Sequence, residues 1–135
     1  MSRTNRRHFI RNVSASVALA MLPQARAAAA AIPHPTPRRG ITGAKVLTSK
    51  ELADTPKLIP LFDSIRDSPQ VVDGVRCNCG CTDPPDYYSL LSCYEGRGMA
   101  RTCGVCQSQA RLVVRLHKEG KSLDEIRAAV DAKFN

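Results

Sequence analysis

Apolar positions in the second half of the chain recur every three to four residues, and nowhere do they alternate over a convincing strand length. Leu58, Leu61, Phe62 and Ile65 make one face of a short helix that Pro60 must either begin or kink. Ser68-Pro69 has the form of an N-cap followed by a first-turn proline, opening a second short helix through Val71 and Val72 that stops at Gly74. Asp83-Pro84-Pro85-Asp86 is a breaker, and Tyr87 to Leu91 predicts a turn or short helix ahead of Cys93. From Cys103, the residues Val105, Cys106, Ala110, Leu112, Val113 and Leu116 predict a shared face on a longer helix ended by Gly120. Ser122-Leu123-Asp124-Glu125 is a capping box that opens a last helix, with Leu123, Ile126, Val130 and Phe134 on one side. The expected fold class is all-α: a small helical domain over residues 48–135, with a cysteine-rich loop between helix pairs.

The residues ahead of that domain change the meaning of its charge. Ser2 to Asn12 is basic and contains Arg6-Arg7 followed by Phe9-Ile10. Val13 to Leu22 is a short apolar run, and Ala25-Arg26-Ala27 fits a small-residue cleavage site. Residues 1–27 therefore resemble a twin-arginine export signal, with an apolar run shorter than the roughly 20 residues that span a bilayer. The expectation is a periplasmic or otherwise extracytoplasmic protein, soluble once the signal is removed and without a stable membrane span in its mature form. Residues 28–47 are rich in Ala, Pro and Gly without amphipathic period and predict a flexible linker.

Five of the 20 basic residues and none of the 12 acids fall in the signal, leaving 15 against 12 and a net charge near +3 rather than the formal +8. With no basic stripe interleaved with aromatics, three Tyr, three Phe and no Trp, the composition argues against nucleic acid as a partner. No Ser-His-Asp order, phosphate loop or internal repeat is present. The acids Asp83, Asp86, Asp124, Glu125 and Asp131 read as turn formers and helix-terminal charges, giving no support for conventional hydrolytic or phosphoryl catalysis.

The chemistry of the chain lies in its six cysteines, all within Cys77–Cys106. Cys77, Cys79 and Cys81 alternate, Cys93 follows, and Cys103 and Cys106 sit at the start of the predicted long helix. On one helix, Cys103 and Cys106 would be neighbours with Cβ atoms about 5–6 Å apart, and the positive helix end would favour their ionisation. A fully extended chain would hold the alternate thiols of Cys77, Cys79 and Cys81 about 6.6 Å apart, too far to share a metal at bonds of about 2.3 Å. Asn78 and Gly80, the intervening residues, readily take positive φ, so a curl at these positions would bring the sulfurs together. Tyr87, Tyr88 and Tyr94 are expected as lids over the cysteines. His34 lies in the linker, and His117, about 16 Å along the helix axis from Cys106, cannot complete the same site.

The segment from Ser68 to Phe134 resembles the exported bacterial proteins named for a PCYCGC motif. The resemblance is carried by CNCGC at Cys77–Cys81, SCYEG around Cys93, CGVCQ at Cys103–Gln107 and the tail EGKSLDEIRAAVDAKF. Arg76 and Asn78 stand where the motif has proline and tyrosine, and no histidine follows Cys81. The resemblance implies an exported, cysteine-rich, metal-binding small domain and no named reaction. Two shorter stretches, CGVCQSQ and GKSLDEIRAAV, are similar to the thiol-reductase subunit of cytochrome c maturation.

Three functions fit these residues. The leading one is soft-metal binding by Cys77, Cys79, Cys81, Cys93, Cys103 and Cys106, with copper(I) preferred and zinc next, and with the metal ion and another exported protein as partners. Export of an already folded chain would allow loading in the reducing cytoplasm. The second is a set of three disulfides stapling a small exported domain. The third is a thiol–disulfide oxidoreductase acting through Cys103 and Cys106, which lacks the expected βαβ context. Gln107, in place of histidine, argues against a c-type haem.

Overall fold

The computed structural model describes residues 33–80 and 87–135. The export signal expected over residues 1–27 lies outside them, as do residues 28–32 and Cys81 to Asp86. Four helices carry the fold: α1 (Ile59–Asp67), α2 (Pro69–Asp73), α3 (Gly104–Lys118) and α4 (Leu123–Phe134). Short 3-10 turns precede α1 at Pro56–Leu58 and lead into α3 at Leu90–Tyr94 and Met99–Arg101. There is no strand among the described residues, where pairing of that kind is confined to an isolated antiparallel bridge between Val46 and Glu95. The class is all-α, with the cysteine loop between the α1–α2 pair and the α3–α4 pair.

Each helix follows from local sequence. Pro60 lies in the first turn of α1, where its missing N–H is harmless, and Leu61, Phe62 and Ile65 are buried. Pro69 starts α2 in the same way, although the Ser68 side chain makes no capping bond. Ser122 and Glu125 cap α4 reciprocally, the Ser122 N–H donating to Glu125 Oε2 at 2.8 Å and the Glu125 N–H to Ser122 Oγ at 3.3 Å. Helix α3 is the hub, packing against α1, α2 and α4. It buries Cys106, Gln109, Ala110, Leu112, Val113 and Val114. Val105, expected on that face, is exposed. It occupies the first turn of the helix.

The flexible linker expected over residues 28–47 does not hold for Pro33–Leu47, which are docked on the helices. Val46 and Leu47 are buried in the core, and the Leu47 N–H donates to the Tyr94 carbonyl at 3.1 Å. Arg38 binds the fully buried Asp73 through its backbone N–H (2.7 Å) and its guanidinium (2.7 Å), and Ser89 Oγ–H donates to the same carboxylate at 2.7 Å. The Asp73 carboxylate would carry a desolvation penalty alone; these donors outweigh it and hold its pKa below the usual value. His34, set aside at the sequence level as a linker residue, sits between the two halves of the domain. Its Nδ1 accepts from the Arg76 N–H at 3.0 Å and its Nε2 lies 3.1 Å from Asp131 Oδ1.

Candidate metal centre

Three sulfurs meet where the cysteine loop crosses the start of α3. The Sγ atoms of Cys77, Cys79 and Cys106 all lie within 4.8 Å of one another. Cys77 Sγ is 3.3 Å from Cys79 Sγ and 3.5 Å from Cys106 Sγ. No disulfide joins any two of the five described cysteines. A disulfide would need about 2.05 Å, whereas tetrahedral thiolates at about 2.3 Å from one metal stand about 3.8 Å apart. The observed separations are near the second value and far from the first.

The left-handed curl lies just after Cys79 and not between Cys77 and Cys79. Gly80 has φ +66°, whereas no non-glycine residue among those described has positive φ, so Asn78 does not share the turn as expected. The loop is then fastened to α3 by Gln109, which is fully buried. Its Oε1 accepts from the Asn78 N–H at 3.0 Å and its Nε2 donates to the Arg76 carbonyl. Cys77 lies between those two bonds. The sequence reading passed over Gln109; the available signal was a polar residue one turn after Cys106 on an otherwise apolar face.

Cys93 enters from beneath. It belongs to the 3-10 turn Leu90–Tyr94 and is buried, but does not join the three sulfurs that lie within 4.8 Å of one another. Gly98 permits this turn to close, since a Cβ there would overlap the Cys93 carbonyl. Cys103 is the N-cap residue of α3, so it precedes the first turn instead of lying in it; it is partly buried against the core and outside the group of three sulfurs. Of the tyrosines expected as lids, Tyr94 does cover the cluster: its buried hydroxyl donates to the Cys106 carbonyl at 2.8 Å, and its ring packs edge-on against Phe62 at 4.8 Å. Tyr88 instead is exposed and donates to the Thr36 carbonyl, at 2.5 Å. His117 is exposed on α3.

Crowding divides the protons unequally among these thiols. Hydrogen bonds from Cys106 and Cys93, with a further one from the Cys79 backbone N–H, stabilise a thiolate at Cys77 and bring its pKa down to about 3. Cys106, which donates to Cys77, is pushed strongly up. For Cys93, interaction with Cys106 lowers the pKa, but the bond to Cys77 and burial outweigh it and the net shift is upward. Ionisation within the cluster therefore favours Cys77, the sulfur in contact with both Cys79 and Cys106. The Asn78 amide, beside it in the loop, has both polar atoms buried without a partner.

Compared with known proteins, the chain matches no family model, no curated protein and no solved structure. What the geometry establishes is a cluster of Cys77, Cys79 and Cys106 able to bind a metal ion. No helix among the described residues is long and apolar enough to cross a membrane.

Proposed function

We propose that this chain is an exported soft-metal-binding protein of the PCYCGC kind, with copper(I) as the preferred ion and zinc the next. The convergence of Cys77, Cys79 and Cys106 within 4.8 Å carries the reading. Thiolate sulfur is a soft donor, selecting copper(I) and zinc over hard cations such as calcium or magnesium. Cys81, Cys93 and Cys103 are further donors in the same stretch of chain. Its neighbours lower the Cys77 pKa, which favours loss of that proton to an entering metal ion. The bound ion would hold the loop to the start of α3, linking the helix pairs; delivery to another exported protein is the function that a loop-borne, partly exposed site suits.

Anaerobic purification followed by elemental analysis and a thiol count in denaturant tests this reading. The expected result is soft metal bound to the chain with all six cysteines titratable. Metal-free protein with no titratable thiols would instead establish the disulfide-stapled domain.

A further inference from the structure

The residue ahead of Cys77 is held from two sides. Gln109 on α3 donates to the Arg76 carbonyl, and His34, 42 residues earlier in the chain, takes the Arg76 N–H on its Nδ1 at 3.0 Å. An amide N–H can only donate, so Nδ1 is the bare nitrogen of the ring and the proton sits on Nε2, which lies 3.1 Å from Asp131 Oδ1 on α4. The network closes on itself. Asn135 donates to the same Oδ1 at 2.9 Å and accepts from the Arg76 guanidinium at 3.0 Å. The backbone beside His34 is fixed in turn, because Arg127 of α4 donates to the Pro35 carbonyl at 2.8 Å and to the Gly74 carbonyl at 2.9 Å. With its side chain only 10% exposed, the imidazole has little freedom to leave this position.

We infer that His34 is a positioning residue of the metal centre, its Nδ1 holding the Arg76 N–H so that the next residue, Cys77, keeps its sulfur against those of Cys79 and Cys106. This role rests on the metal-binding reading above and adds to it a residue that supplies no ligand atom. Two hydrogen bonds on Arg76, one to its N–H and one to its carbonyl, fix the planes of both peptides that flank its Cα. The direction in which the chain enters Cys77 is fixed with them. Groups that orient ligands in this way carry about 10- to 100-fold in metal affinity, and sulfurs 3.3 and 3.5 Å apart tolerate little displacement if they are to share one ion. The docked Pro33–Leu47 segment is thereby part of the site, although it contains none of the sulfurs.

Two variants separate this role from simple anchoring. In His34→Asn, Oδ1 takes the place of Nδ1 and accepts from Arg76, while the reach to Asp131 is lost; in His34→Gln, Nε2 keeps the donor to Asp131 and no acceptor stands where Nδ1 was. Each variant breaks one of the two bonds of His34. Copper(I), supplied anaerobically to the full chain as its acetonitrile complex, is titrated in competition with a chromophoric chelator. The expected result is an affinity about 10- to 100-fold lower in His34→Gln and close to native in His34→Asn, with both variants similarly lowered in thermal stability. Equal affinities in the two variants, or the reverse order, overturn the inference and leave metal binding intact. In the copper-loaded native chain, NMR is expected to show nitrogen–nitrogen coupling across the bond from the Arg76 N–H to His34 Nδ1. Its absence also overturns the inference, which therefore stays testable even where a variant does not fold. No copper bound by the native chain would remove the metal-binding reading, and this role with it.

Discussion

Gln109 grips the backbone on both sides of Cys77, accepting from the Asn78 N–H at 3.0 Å and donating to the Arg76 carbonyl. A single buried amide on α3 thereby sets the height of the cysteine loop over Cys106. Replacing it with Leu leaves a part-buried N–H and C=O without their partner, while Glu keeps the acceptor and loses the donor. Metal affinity in Gln109→Leu is expected to fall about 10- to 100-fold, as for other groups that orient ligands. Circular dichroism should show the helices retained. Unchanged affinity in a competition titration would show that the loop does not depend on this residue.

The Arg38–Asp73–Ser89 contacts fasten the Pro33–Leu47 segment to the domain. Because the folded pKa of Asp73 is depressed, its stabilising contribution is present above the unfolded value near 4 and is lost as pH falls through the lower folded value. Asp73→Asn is expected to lose about 2 kcal/mol at neutral pH, in line with hydrogen bonds to a charged group, and to flatten the decline in stability below pH 4. Denaturant unfolding of both chains across pH 3–7 provides the comparison.

Gly98 packs against the carbonyl of the ligand-bearing turn. Gly98→Ala is expected to destabilise the domain by about 1–3 kcal/mol through overpacking and to displace Cys93 from the other thiols. Thermal unfolding gives the first effect. Metal affinity in a competition titration gives the second.

Tyr94 joins the core to the start of α3. Tyr94→Phe removes the 2.8 Å bond to the Cys106 carbonyl but keeps the ring against Phe62. The expected loss is about 1 kcal/mol, with little change in metal stoichiometry because no sulfur is removed. A complete loss of metal binding would mean that this hydroxyl, not the loop, positions Cys106.

The helices were legible in the sequence because each declares itself locally: Leu61, Phe62 and Ile65 by spacing, Pro60 and Pro69 by their first-turn positions, Ser122 and Glu125 by reciprocal capping. The docked segment was not, because its Pro- and Gly-rich composition hides anchors whose partners are distant in sequence. His34 meets Asp131 and Arg38 meets Asp73, separations of 97 and 35 residues. The cysteine spacing announced a shared site for all six cysteines, of which the structure brings Cys77, Cys79 and Cys106 together; it could not show that Cys103 would precede the helix while Cys106 turned inward. Nor did it show that Cys77 and Cys79 would approach each other without a positive φ at the intervening Asn78, which residue type permits but the loop does not use.

X-ray absorption at the metal edge of the loaded, anaerobically prepared chain tests the central claim most directly. The expected spectrum has a first shell of sulfur alone at about 2.3 Å, and Cys77→Ser, which removes the sulfur common to the others, should abolish tight binding. A first shell dominated by nitrogen or oxygen, or tight binding unaltered in Cys77→Ser, would contradict the account.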